Sequence, residues 1–172
     1  MKRLLVLTFL AAGPLLAQSA PKIDPTWLKS DSVVRQAEIT LVAGLTPING
    51  GMNFNGAGPG SLTFTVPARW TVVLHFRNND QVLPHSAMVI AAAVPVPVSG
   101  AKVAIAHAST RRAEQGLPSD AHEDVWFVAE QPGSYLIYCA VPGHGAAGMW
   151  IHFEVSATAH QATIAETAPK AP

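Results

Sequence analysis

Apolar residues in this chain recur at every second position, in runs too short to make anything but strands. Leu62, Phe64 and Val66 share one side of such a run; Trp70, Val72, Leu74 and Phe76 share one side of the next, with Thr71, Val73, His75 and Arg77 opposite. A period of two puts one face on a core and the other toward water. Gly, Pro and Asn punctuate the runs, and Asn78-Asn79-Asp80 turns the chain after the second. Further strands are expected at Glu38–Val42, Ser86–Ala92, Val125–Ala129, Tyr135–Cys139 and Met149–Val155, and no stretch of the core carries a helical period. Short strands with closely spaced turns predict an all-β fold, a Greek-key β-sandwich.

The chain has 172 residues, 49% of them hydrophobic, which suits one domain with a real core. Charged residues are 13%, about half the share usual in soluble domains, and Lys+Arg 11 cancels Asp+Glu 11. A nucleic-acid binder needs a basic surface, so that class is set aside. Lys2 and Arg3 followed by the apolar Leu4–Leu16 and by Ala17 predict an export signal over residues 1–17, with the mature chain starting at Gln18. The alternative is an uncleaved N-terminal membrane anchor, although the run falls short of the roughly 20 apolar residues that span a bilayer. Residues 18–37 are then an N-terminal extension, 38–155 the folded domain, and 156–172, rich in Ala, Thr and Pro, a flexible tail. Within the domain, Pro95–Asp124 is a long connection, expected to be a functional loop or to hold some local helix.

One cysteine excludes an internal disulfide, a Cys-x-x-Cys redox pair and any all-cysteine metal site. Cys139 ends an apolar strand, in phase with Tyr135 and Ile137, which suits a buried ligand better than an attacking nucleophile. Four residues separate it from His144, and four more separate His144 from Met149, so thiolate, imidazole and thioether share one short loop. His85, in Leu83-Pro84-His85-Ser86, supplies a second imidazole at the start of another strand. Two histidines, a thiolate and a weak axial thioether suit copper in electron-transfer sites. Singly, each residue has a plainer role in a core or loop; the ordered combination points to one copper ion per chain, held by His85, Cys139, His144 and Met149. His75, His107, His122, His152 and His160 are expected to be structural or solvated.

The run Cys139-Ala140-Val141-Pro142-Gly143-His144-Gly145-Ala146-Ala147-Gly148-Met149-Trp150 resembles the copper loop of the cupredoxin (blue copper) superfamily, and within it is most similar to the sulfocyanins. Asn53-Phe54-Asn55-Gly56, Thr65-Val66-Pro67-Ala68-Arg69-Trp70 and Pro84-His85-Ser86 resemble the same family's opening strands and first ligand. Rusticyanin shares the loop spacing and is the next most similar. The resemblance covers roughly Glu38 to Val155 and implies a cupredoxin sandwich that shuttles single electrons. Plastocyanin and azurin usually carry Asn after the first histidine; Ser86 departs from them, which implies a relatively high reduction potential.

The expected function is therefore that of an exported, periplasmic or extracytoplasmic electron carrier, not an enzyme, working between redox proteins such as cytochromes or a terminal oxidase. A copper carrier or storage protein is the alternative. Closure separates the two: a delivery site is exposed and exchangeable, whereas four ligands from a packed sandwich hold the ion fast.

Overall fold

The computed structural model describes residues 22–167. The expected export signal and the start at Gln18 lie outside them. Nine strands follow in order: β1 (Leu28–Asp31), β2 (Gln36–Ala43), β3 (Leu62–Pro67), β4 (Thr71–Asn78), β5 (Met88–Ala91), β6 (His122–Val128), β7 (Gly133–Tyr138), β8 (Trp150–Ser156) and β9 (Thr163–Glu166). They form two sheets, ordered β1-β2-β4-β6 and β5-β7-β8-β3-β9. Helix among the described residues is limited to 3-10 turns at Pro25–Trp27 and Ile48–Gly51. The fold is thus the all-β sandwich that the alternation predicts.

The period-two faces meet between the sheets. Ile39 and Leu41 of β2 and Val72, Leu74 and Phe76 of β4 bury against Leu62, Phe64, Ile137, Ile151 and Phe153 of the other sheet. Phe127 and Phe153 pack edge to face with ring centres 5.9 Å apart, a geometry that favours aromatic pairs beyond their buried area. Val73 faces outward yet is buried; the register sets it between Glu38 and Trp126 of the flanking strands.

Two segments depart from the sequence reading. The extension at 18–37 holds β1, which pairs antiparallel with β2 (Leu28 opposite Ile39), and the tail at 156–172 holds β9, antiparallel to β3 (Phe64 opposite Ile164). Both are short edge strands with mostly exposed side chains, so no alternation marks them. Backbone pairing, which every sequence can make, holds them in place. The 95–124 connection carries no helix, and its last residues, His122–Asp124, already belong to β6; the part before them runs beside β5, with Val89 N–H bonding Ala108 O at 2.9 Å and Ala104 N–H bonding Val89 O at 2.8 Å.

Three neighbouring strands of one sheet, β5, β7 and β8, are successively antiparallel, with Met88, Tyr138 and Trp150 in one row. The start of β5, the end of β7 and the start of β8 therefore share one end of the sandwich.

Because β9 belongs to the domain, deleting residues 160–172 removes the packing of Ala162 and Ile164 and uncovers the β3 edge at Phe64, at a cost of about 2 kcal/mol. Thermal unfolding is expected to shift down accordingly; an unchanged melting temperature would restore the flexible-tail reading.

Candidate metal centre

All four residues singled out in the sequence lie at that shared end. His85 precedes β5, Cys139 follows β7 and Met149 precedes β8, while His144 tops the loop between the last two. The loop closes on its own backbone: Cys139 N–H bonds Met149 O at 3.1 Å, and Met149 N–H bonds His144 O at 3.0 Å. Gly145 is buried under the Tyr138 ring, and a Cβ there would overlap the ring, so only glycine lets the loop fold this tightly. Asn49 ties the far side, its amide donating to Ala147 O at 2.9 Å.

His85 sits in a short two-residue bridge, exchanging backbone bonds with Leu117 of the long connection at 3.2 and 2.7 Å. The same connection braces the loop, because Val98 O accepts from Gly143 N–H at 2.8 Å and Pro97 O accepts from the Tyr138 hydroxyl at 3.1 Å. Ser86 joins the two halves: its N–H points at Cys139 Sγ at 3.4 Å, and its hydroxyl accepts from Ala140 N–H at 3.0 Å.

Three donor atoms converge. Cys139 Sγ lies 4.0 Å from His85 Nδ1 and 3.7 Å from His144 Nδ1, and the two nitrogens are 3.2 Å apart. The point equidistant from atoms at those spacings is about 2.1 Å from each, against roughly 2.0–2.3 Å for imidazole and thiolate bonds to a tetrahedral zinc-like ion. A first-row transition-metal ion therefore fits between them without movement of the backbone. His85, Cys139 and Met149 have 0% exposure, and His144 alone is half-buried. Ala146 and Ala147 beside it are exposed.

The electrostatics favour neutral donors. Burial pushes both His85 and His144 below the ordinary imidazole value; Asp80 opposes this at each, and His85 adds to it at His144. Burial raises the Cys139 thiol, while the N–H groups of Ser86 and Val141 and the Ser86 hydroxyl pull the other way. Neutral imidazole is the form that binds metal, and a thiol that releases its proton only when a metal cation takes its place is guarded against idle oxidation. Among the described residues, these three form the one cluster of His, Cys and carboxylate groups close enough to share an ion.

Asp80 was not among the residues the sequence singled out. Its Oδ2 lies 3.3 Å from His85 Nε2. Nothing in the sequence separates it from an ordinary turn residue in Asn78-Asn79-Asp80; only the fold brings it behind His85. His75 pairs instead with Asp124 on the outer face of the sandwich, at 2.8 Å.

The Sulfocyanin (SoxE) domain model matches residues 26–164. A sulfocyanin of Sulfolobus acidocaldarius is 35% identical over 106 residues, spanning 57% of this chain and 52% of that protein, so the match covers about half the length of the curated relative. Solved structures of the copper protein rusticyanin, including one from Thiobacillus ferrooxidans, superpose with TM-scores of 0.56 and 0.57 at 21% and 20% identity, over 71% of this chain and 78% of theirs. At that identity the structural likeness speaks for the fold.

The buried neutral histidines set a pH dependence. The unfolded chain takes up protons on both imidazoles below about pH 6.5, while the folded, metal-free protein resists until lower pH. Unfolding then binds protons, so stability is full above pH 6.5 and falls below it. The metal-free protein is expected to melt at a lower temperature at pH 5 than at pH 7. Equal melting temperatures would contradict neutral burial of this pair.

Proposed function

Starting from a chain that belongs to the sulfocyanin family of cupredoxins, we propose that it is an exported type 1 copper protein carrying single electrons between redox partners. His85, Cys139 and His144 would hold one copper ion, with Met149 as a fourth and weaker ligand. The observation that carries this reading is the convergence of Cys139 Sγ and the two Nδ1 atoms within 4.0 Å of one another at a closed end of the sandwich. Copper supplies two oxidation states, Cu(I) and Cu(II), whose preferred surroundings differ. The chain's part is to hold its donors still between those preferences. Ser86 fixes the thiol, the Leu117 bridge fixes His85, and the β7–β8 loop fixes His144 and Met149.

Closure favours a carrier over a storage protein. Three of the four donors have no exposure, so an ion held there has no open coordination side for transfer to another protein. The same burial argues against an enzyme, since a substrate has no approach to the Cys139 thiol. Electrons need less room than ions. His144 offers the shortest way out, between exposed Pro142, Ala146 and Ala147, small uncharged residues that let a partner approach closely. Cytochromes or a terminal oxidase are the partners this surface would meet, in a periplasmic or other extracytoplasmic space to which the Lys2–Ala17 segment would direct the chain.

Two sets of variants test the reading. Ala147→Lys and Ala146→Glu are expected to keep the copper spectrum and potential while slowing self-exchange and partner reduction, because a charge at the contact disfavours docking. Stopped-flow rates equal to wild type in both would place the exit elsewhere. Met149→Gln is expected to lower the reduction potential, a harder oxygen donor favouring Cu(II), and Met149→Leu to raise it. The opposite order in voltammetry would remove Met149 from the ligands.

A further inference from the structure

A single carboxylate reaches into this otherwise uncharged site. Asp80 Oδ1 accepts from Val82 N–H at 2.8 Å and from Leu83 N–H at 2.9 Å, which leaves Oδ2 to face His85 Nε2 at 3.3 Å. The side chain is only 13% exposed, and among the described residues no Lys or Arg pairs with it. The surrounding chain is shaped to admit it. A Cβ on Gly51 would stand 2.5 Å from Asp80 Oδ2, and one on Gly44 would stand 2.7 Å from Asp80 Cβ; both glycines also hold positive φ, at +88° and +66°. Ser119 donates to the Asp80 carbonyl at 2.6 Å, and Asn78 Oδ1 accepts from its N–H at 3.0 Å.

The turn alone does not call for a carboxylate. An Asn at this position would satisfy Val82 and Leu83 with its amide oxygen, as Asp80 does. Its NH2 would then face His85 Nε2. The imidazole uses Nδ1 on the side of Cys139 and His144, 4.0 and 3.2 Å away. For Nδ1 to offer a lone pair there, the ring proton must sit on Nε2, and only an acceptor behind it stabilises that tautomer. A carboxylate meets this need and adds negative charge behind the ring. That charge makes the imidazole a stronger donor and favours the more highly charged metal state.

We propose that Asp80 is a positioning residue of the metal centre: it locks His85 in the Nε2–H tautomer and lowers the reduction potential relative to an uncharged residue at this place. The effect on potential rests on the copper reading above; the tautomer does not.

Asp80→Asn separates the charge from the turn. In the metal-free wild type, long-range 1H–15N NMR of the His85 ring is expected to show the Nε2–H form, and in Asp80→Asn the Nδ1–H form, with the Asn amide as donor. Copper-loaded Asp80→Asn is expected to keep the intense visible band, to shift to a higher potential, and to bind copper about 10–100-fold more weakly. An Nδ1–H ring in wild type, or a variant with wild-type potential and affinity, would overturn the proposal. Should Asp80→Asn fail to fold, the wild-type tautomer decides alone: Nε2–H supports the proposal and Nδ1–H overturns it. A wild-type protein that takes up no copper would sink the copper reading, while the ring tautomer would still judge the role of Asp80.

Discussion

The antiparallel register of β5, β7 and β8 is what the candidate metal centre depends on. Met88, Tyr138 and Trp150 stand in one row, so His85, Cys139 and Met149 leave the sheet at the same end. The pairing continues past the strands, from Cys139 N–H to Met149 O, and it turns the thiol and the Met149 side chain inward together. Strand side chains alternate with a period of two, so a slip of one residue in either ladder would turn one of these donors outward. The core enforces the register: Ile137, Ile151 and Phe153 have essentially no exposure, and any slip would expose them. The candidate donors thus borrow their precision from hydrophobic packing.

Burial then sets the chemistry. The groups at this end are kept neutral by desolvation, except Asp80. There burial acts to raise the carboxyl, but the N–H groups of Leu83 and Val82 together with His85 outweigh it and hold the carboxyl below its ordinary range. Cost and function coincide here, since a buried neutral imidazole is a poor base but a ready ligand. The long connection between β5 and β6 takes part in this arrangement. By bonding His85, Gly143 and Tyr138 through backbone carbonyls, it walls the site without adding charge.

Much of this was legible in the sequence because the informative residues obey local rules. The alternation at Leu62–Val66 and Trp70–Phe76 marked β3 and β4, and the four-and-four spacing of Cys139, His144 and Met149 marked the loop. What stayed hidden depends on contacts between distant segments. β1 and β9 are edge strands held by backbone pairing, which leaves no side-chain signature. Asp80 looks like any turn residue until the fold brings it behind His85, and the niche made by Gly44 and Gly51 links positions that the sequence gives no reason to connect. The 95–124 segment carries no period at all, because its bonds to β5 are irregular.

The most direct test of the central claim is the visible spectrum of the full-length protein as Cu(II) is added stepwise. If Cys139 lies within bonding reach of a copper shared with both histidines, an intense thiolate charge-transfer band should rise and saturate at about one equivalent, and Cys139→Ser should lack it. A weak band typical of nitrogen and oxygen ligands, or an intense band retained by Cys139→Ser, would contradict the account.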